Sequence, residues 1–356
     1  MTGGAAKLSR RAPVLGNLAR DRARAVTIVL LLLVVTILML LGSAAFGSTW
    51  VPLEKVVAVL SGGGERMERL IILQLRLPRV LLAVLAGAAI AVSGFLLQKV
   101  TRNELASPSV LGVVDGAALG VVIFLALLSN DSNALIVSIG WQPLAAALGA
   151  CAAVALVFAL SGRQASSAVR LLLFGIAVAA AAKSVIMVLL LTGPIYRTTQ
   201  AARWIAGAVN ETNWGEVQLT ALLLVPALVL ALIAATRLPP SDLDDVSARS
   251  VGLNLPVFRL VIFALAAALT AISVAFAGGV SFIGLLAPHM ARLLVGRSAI
   301  AGILASALCG AVILMGADLV VRVLFAPTEV PAGTITAVIG APYFLYLLLR
   351  KDRLNG

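Results

Sequence analysis

Side chains able to do catalytic or metal-binding chemistry are few in this sequence, and they lie far apart. The single histidine, His289, has no second histidine and no cysteine near it, so it does not form a zinc site. Ala182-Lys183-Ser184 resembles the end of a phosphate-binding loop, but the glycines of that loop are missing. We therefore expect no enzyme activity, no cofactor and no metal, and this chain alone cannot hydrolyse ATP.

Lys183 is distinguished instead by its position about midway along an apolar stretch. A charge inside a membrane segment is costly and is by default a functional hypothesis. Lys183 could attract an anionic solute on a transport pathway, or it could pair with a neighbouring helix, and the sequence leaves both open. Asp115 lies near the start of another apolar run. Hydrogen bonds to nearby backbone groups explain it better than a place on a pathway does.

Arg76, Arg79 and Arg322 form a second set of charges beside apolar runs. Arg76 and Arg79 are three residues apart, so they should share one face of a helix, and Arg322 is expected at the same end of a later helix. They are either arginines that extend to the membrane surface or a basic patch that docks an acidic partner. Position alone does not decide between the two.

Elements that span a membrane must position these residues. Hydrophobic residues make up 61% of the chain and the mean hydropathy is +1.09, which excludes a soluble globular fold. Cys151 and Cys309 lie within apolar runs and are expected to be buried free cysteines. The net charge of +12 does not indicate nucleic-acid binding, because Lys and Arg fall mostly between the apolar runs.

Ten apolar segments predict an all-α polytopic membrane protein. They lie near residues 25–46, 77–98, 110–128, 133–160, 171–192, 216–236, 260–277, 282–296, 299–321 and 333–349. At about 1.5 Å per residue, most of them can cross a hydrocarbon layer about 30 Å thick. Gly278-Gly279 divides the overlong stretch 260–296 into one helix and a short eighth helix.

The distribution of charge predicts the orientation of these segments. Both ends of the chain are basic, so both termini are expected in the cytoplasm, which requires an even number of crossings. Residues 1–24 then form a cytoplasmic tail, residues 25–350 one ten-helix transmembrane domain, and residues 351–356 a second cytoplasmic tail. A cleavable signal peptide is the alternative for the N-terminus, although the first apolar run exceeds the usual core of roughly 7–15 residues.

Two polar segments on the predicted cytoplasmic side interrupt the apolar pattern. One is the turn after residue 98, which ends at Pro108. The other is 241–259, which is too polar to span a membrane. It is either a plain loop or a short helix with an apolar edge that stops near Gly252, and exposed apolar surface there would bind a partner.

Ordered motifs along the chain resemble the iron-siderophore and cobalamin permeases of binding-protein-dependent ABC importers. The matching residues are Arg76-Leu77-Pro78-Arg79, Gly87, Gly94, Gln98, Arg102-Asn103, Leu105-Ala106, Pro108, Leu111-Gly112, Gly116-Ala117, Trp204, Gly207, Ala248-Arg249, Gly252-Leu253, Phe282 to Leu285, Pro288-His289, Arg292, Ala317-Asp318 and Glu329 to Pro342. The resemblance covers roughly residues 25–350 and implies the type II ABC importer permease architecture, with ten helices and a short eighth one.

The resemblance also implies partners and a location. Such a permease lies in the inner or plasma membrane of a prokaryote and pairs with a second permease subunit, either a second copy or a paralogue. A separate ATP-binding cassette subunit hydrolyses ATP on the cytoplasmic face, and an extracytoplasmic substrate-binding protein delivers the cargo.

Three sets of site residues follow from the resemblance. The residues that would dock the binding protein are Arg76, Arg79 and Arg322. The cytoplasmic gate would comprise Asn103, Glu104 and Leu105, and the segment coupled to the ATPase would comprise Ala248, Arg249, Gly252 and Leu253. The family usually has proline where this chain has Glu104, which leaves the rigidity of the gate turn open.

The predicted function is therefore the permease subunit of an ABC importer that carries a ferric siderophore into the cytoplasm. The same type of importer carrying haem or cobalamin is the alternative, because the sequence does not identify the cargo. An ion-coupled secondary transporter is less favoured, since it would need carboxylates near the membrane midplane and the sequence offers little beyond Asp115.

Overall fold

A computed structural model describes residues 11–47, 49–130, 135–162, 167–193, 195–207, 209, 212–238, 245–250, 252–296, 298–328 and 330–355. The regular elements in these ranges are all helices. They are α1 (Arg11–Ala45), α2 (Leu53–Leu60), α3 (Arg66–Thr101), α4 (Val113–Leu127), α5 (Gln142–Ser161), α6 (Ala168–Thr192), α7 (Ile195–Ile205), α8 (Trp214–Ala235), α9 (Asp245–Ser250), α10 (Leu255–Ala277), α11 (Ile283–Val295), α12 (Ala299–Leu324) and α13 (Ala332–Asn355).

Within the described residues, 7 helices are long and apolar enough to cross a membrane. They are α1, α3, α5, α6, α8, α10 and α12. Three shorter apolar helices, α4, α11 and the first part of α13, coincide with three further predicted segments. The predicted all-α membrane fold is confirmed. The total of ten crossings stays a prediction, because the short helices do not reach the length of a full span.

The spans differ in how much of their surface the chain itself covers. In α3, 83% of the apolar window is buried, whereas in α5 only 28% is buried. Cys309 is buried as expected, but Cys151 on α5 is exposed. The expectation for Cys151 was wrong because an apolar helix at the edge of the bundle turns most of its surface away from the protein.

Helix α3 lies at the centre of the bundle because small residues let other helices approach its backbone. A Cβ atom at Gly87 would lie 2.4 Å from the carbonyl oxygen of Gly310 on α12. One at Gly94 would lie 1.8 Å from the carbonyl oxygen of Gly284 on α11. Backbone-to-backbone contacts of this kind replace the hydrophobic effect as the source of helix association in lipid.

Hydrogen bonds set the register between α3 and α10. The hydroxyl of Ser93 donates to the carbonyl oxygen of Ala266 at 2.7 Å. The hydroxyl of Ser273 donates to the carbonyl oxygen of Ala86 at 3.0 Å. Residue numbers therefore decrease along α10 in the direction in which they increase along α3, so the two helices are antiparallel.

The predicted break at Gly278-Gly279 is confirmed. Helix α10 ends at Ala277, Gly278 has a φ of +69°, and α11 begins at Ile283. The amide of Gly279 in this connection donates to the carbonyl oxygen of Trp204 on α7, and the amide of Gly333 on α13 donates to the carbonyl oxygen of Gly207 just after α7, both at 3.1 Å. A Cβ atom at Gly333 would lie 3.3 Å from the carbonyl oxygen of Gly279. The end of α7, the break and the start of α13 thus meet at one point.

The bundle has two ends that carry different polar residues. The arginine end comprises the last residues of α1, Arg76 to Arg79 on α3, and the end of α12. The turn end comprises residues 101–108, the start of α10 and the last turn of α11. The short helix α9 lies at the turn end, because Ala248 packs in one apolar cluster with Leu255 at the start of α10.

Candidate functional site

Arg76 binds the C-terminal end of α1. Its side chain is buried, and Nη1 donates to the carbonyl oxygens of Ala44 at 2.9 Å and Ala45 at 2.8 Å. Its Nη2 donates to the hydroxyl of Thr49 at 3.0 Å and also to the carbonyl oxygen of that residue. The last carbonyls of a helix lack partners within the helix, so a guanidinium there satisfies them and interacts favourably with the helix dipole.

Asp318 on α12 forms ion pairs with the two other arginines. Arg79 Nε donates to Asp318 Oδ1 at 2.7 Å, and Arg322 Nε lies 2.9 Å from Oδ2. Arg322 Nη1 also donates to the carbonyl oxygen of Ser43 on α1 at 3.0 Å. Asp318 thereby links α3 to α12, and Arg322 links both to α1.

The three arginines are largely buried and have different partners. Arg76 turns toward α1 and Arg79 toward α12, although they are three residues apart. The side chains of Arg79 and Arg322 are only 16% and 10% exposed. The carbonyls of α1 and the carboxylate of Asp318 supply the partners that these buried guanidiniums require.

The arginine cluster, defined as Arg76, Arg79, Arg322 and Asp318, nevertheless carries surplus positive charge. The described residues give these three guanidiniums a single carboxylate. Arg322 Nη2 is buried and has no hydrogen-bond partner among the described residues. Among the described residues, the cluster therefore has more positive than negative charge.

At the opposite end, Asn103 closes the turn that follows α3. Arg102 has left-handed backbone geometry, with a φ of 52°. The side-chain oxygen of Asn103 accepts from the amide of Leu105 at 3.0 Å, and its carbonyl accepts from the amide of Ala106 at 3.1 Å. The turn is therefore held by Asn103, although Glu104 replaces the usual proline.

Glu104 is bonded to another helix. Its Oε1 lies 2.5 Å from Arg292 Nη1 on α11. Arg292 Nη2 also donates to the side-chain oxygen of Gln98, in the last turns of α3, at 3.0 Å. One guanidinium thus connects the end of α3, the turn and α11.

The segment 241–259 contains a short helix, one of its two interpretations, but the apolar edge of that helix packs within the chain. Ala248 on α9 is fully buried and clusters with Leu253 and Leu255. The amide of Leu253 donates to the carbonyl oxygen of Ala248 at 3.1 Å, and Gly252 between them has a φ of +86°. Arg249 belongs to α9, and its side chain lies outside the described part of the structure.

Lys183 lies on an exposed face of α6. Its side chain is 69% exposed, and Nζ lies 3.6 Å from Asp115 Oδ1 in the first turn of α4. Pairing with a neighbouring helix, one of the two interpretations of Lys183, is therefore present. Most of the charged side chain is still uncovered by its own chain.

The residues that bring these sites together were not all apparent from the sequence. Asp318 and Arg292 appeared only as members of motifs, although Asp318 contacts two predicted site residues, Arg79 and Arg322, and Arg292 contacts one, Glu104. The spacing of Asp318 and Arg322, which is i and i+4 on one helix, is a signal that could have suggested their pairing. Nothing in the spacing connects Glu104 with Arg292.

Comparisons with known proteins identify the family. The family model described as the FecCD transport family matches residues 27–350. The chain is 40% identical over 332 residues to the probable siderophore transport system permease protein YfhA of Bacillus subtilis (strain 168), covering 93% of this chain and 96% of YfhA. It is 36% identical over 279 residues to the hemin transport system permease protein HmuU of Yersinia pestis, covering 78% of this chain and 83% of HmuU.

A solved structure has the same fold. It is an inward-facing conformation of a metal-chelate type ABC transporter, with a TM-score of 0.80 and 26% identity, and the match covers 91% of this chain and 99% of that chain. The spans and these relatives together make it a protein of a bacterial membrane and a transport subunit rather than an enzyme. The chain belongs to the FecCD transport family of ABC importer permeases.

Proposed function

We propose that this permease carries a ferric siderophore into the cytoplasm. The observation that supports this cargo is the 40% identity, over nearly the whole chain, with a relative named a siderophore transport permease. Haem is the second candidate, because a hemin permease is 36% identical over a shorter part of the chain. Cobalamin is the remaining alternative.

The cargo is tested by removing the gene from its host and restoring it. Uptake of radioactive iron is measured from hydroxamate, catecholate and citrate complexes and from hemin. We expect uptake from at least one ferric siderophore to disappear and to return with the restored gene, while hemin uptake stays unchanged. Loss of hemin uptake alone would contradict the siderophore assignment.

The arginine end is proposed to face outward and to dock the substrate-binding protein. The surplus positive charge of the arginine cluster supports this orientation, because carboxylates on a partner could complete its neutralisation. Association governed by such charges is fast at low salt and slows as salt rises. We expect the association rate to fall more than tenfold between low salt and about 0.5 M salt. A rate independent of salt would contradict docking by charge.

The turn end is proposed to face the cytoplasm, with α9 against the ATP-binding subunit. The antiparallel register of α3 and α10 supports placing the gate and the contact with the ATP-binding subunit on one side of the membrane, because it brings α9 and the turn after α3 to the same end. Both termini would then be cytoplasmic, residues 25–350 would form the transmembrane domain, and a second permease subunit would complete the pathway. Residues Asn103 to Leu105 would form the gate at its exit.

Lys183 is proposed to line this pathway. A charged side chain that is 69% exposed within a membrane span is unfavourable against lipid, so its face must meet water or another subunit. A pathway between two permease subunits would supply both water and another subunit. Many ferric siderophores are anions, and a lysine there would favour them.

A further inference from the structure

Residues 101–108, which include the proposed gate and are called the gate turn, contact helix α11 at two separate places. Near its start, a Cβ atom at Gly284 would lie 2.6 Å from Cδ of Pro108, so the helix backbone rests against the end of the turn. In its last turn, Arg292 lies 2.5 Å from Glu104. The short helix therefore follows the gate segment along most of its length.

The two contacts of Arg292 differ in burial. Gln98 is buried, so its bond to Arg292 belongs to the packed end of α3. The side chain of Glu104 is 51% exposed. Ion pairs this exposed contribute little to folding, so this pair can break and re-form without loss of the fold.

We propose that Glu104 and Arg292 form an ionic latch that ties the gate turn to α11, so that the turn follows α11 during transport. The proposal rests on the gate assigned under the proposed function. Because the pair is formed in this conformation, it stabilises this conformation over any in which the turn and α11 separate.

The latch is tested in the complete transporter, with the ATP-binding subunit, reconstituted in proteoliposomes. We expect Glu104→Gln to raise ATPase activity without binding protein by about threefold, as expected for loss of an exposed ion pair, and to lower the cargo moved per ATP. Glu104→Asp keeps the charge and should retain most of the coupling. Thermal stability of each variant in detergent is the control for folding.

Two further measurements distinguish a latch from a merely structural contact. High salt should raise the basal ATPase of the wild type but not that of Glu104→Gln, because salt screens an exposed pair. The exchanged variant with Glu104→Arg and Arg292→Glu should behave more like the wild type than Glu104→Arg alone does. If Arg292→Glu proves unstable because of its bond to Gln98, the salt measurement replaces the exchange.

The proposal is overturned if Glu104→Gln changes neither the basal ATPase nor the coupling. It is equally overturned if a stably folded exchanged variant is no better than Glu104→Arg. Basal ATPase is measured without cargo, so that result does not depend on whether the transported complex is a siderophore. A wrong cargo would instead appear as absent siderophore uptake by the wild type.

Discussion

Asp318 is the residue on which the arginine cluster depends most. It is 1% exposed and lies between Arg79 and Arg322. In Asp318→Asn, two guanidiniums would remain at a largely buried site without a counter-charge, and breaking a buried ion pair costs about 3–5 kcal/mol. We expect a large decrease in unfolding free energy in detergent, measured by denaturant titration.

Glu104→Gln is the matched control for this substitution. It makes the same change from carboxylate to amide in an ion pair with arginine, but at a side chain that is 51% exposed. We expect its effect on stability to stay within about 1 kcal/mol. Equal stability of the two variants would show that Asp318 does not hold the arginine cluster together.

Lys183 and Asp115 should affect the choice of cargo in opposite directions. Lys183→Met removes a positive charge from the proposed pathway, and Asp115→Asn removes the negative charge 3.6 Å from it. We expect the ratio of anionic to neutral iron complex taken up to fall several-fold in the first variant and to rise in the second. Ratios that stay constant in both variants would leave Lys183 with a structural role only.

The sequence was sufficient to identify charged residues of interest but not their partners. Arg76, Arg79 and Arg322 stand out because charges are rare beside apolar runs. That Arg76 turns toward α1 and Arg79 toward Asp318 could not be predicted, because side-chain direction depends on the acceptors nearby. Those acceptors come from α1 and α12, which are remote in sequence, and no periodic pattern reports them.

At the scale of elements, close glycine contacts decide how α3 packs. Gly94→Ala would place a Cβ atom 1.8 Å from a backbone carbonyl oxygen of α11, so one of the two helices must move. We expect a loss of about 1–3 kcal/mol in stability, as for other overpacked sites. The melting temperature of the purified protein in detergent measures this loss.

Gly42→Ala provides the comparison for Gly94→Ala. Gly42 is also helical, on α1, and a Cβ atom there would meet nothing within 4 Å. We expect this variant to be as stable as the wild type or slightly more stable, because alanine favours helix over glycine. Similar melting temperatures for the two variants would contradict the close contact between α3 and α11.

The turn after α9 requires glycine for a different reason. Gly252 has a φ of +86°, and a Cβ atom there would meet no neighbour within 4 Å. Gly252→Val should therefore act through backbone strain of about 1–2 kcal/mol and should lower the uptake driven by each ATP hydrolysed. Gly252→Asn tolerates the left-handed conformation better and should retain more coupling. Equal coupling in both variants would indicate an ordinary loop.

The sequence predicted elements better than it predicted their contacts. Apolar runs located the spans, and Gly278-Gly279 located the break before α11, because run length and glycine act locally. The contact between Gly94 and Gly284 could not be predicted in the same way. It depends on how α3 and α11 pack together, and a glycine in the sequence does not show which backbone will approach it.

At the scale of the whole molecule, the two ends of the bundle have separate roles. The arginine cluster joins α1, α3 and α12 at one end, and Arg292 joins α3, the gate turn and α11 at the other. Helix α3 runs between them and is the most buried of the described spans.

The proposed function is tested most directly by transport in a defined system. The permease is reconstituted in proteoliposomes with its ATP-binding subunit, and a binding protein loaded with ferric siderophore is supplied on one face. We expect ATP-dependent accumulation of iron beyond the membrane, together with ATPase activity stimulated by the loaded binding protein. ATPase stimulation without iron accumulation, or accumulation of hemin but not of the ferric siderophore, would contradict the proposed function.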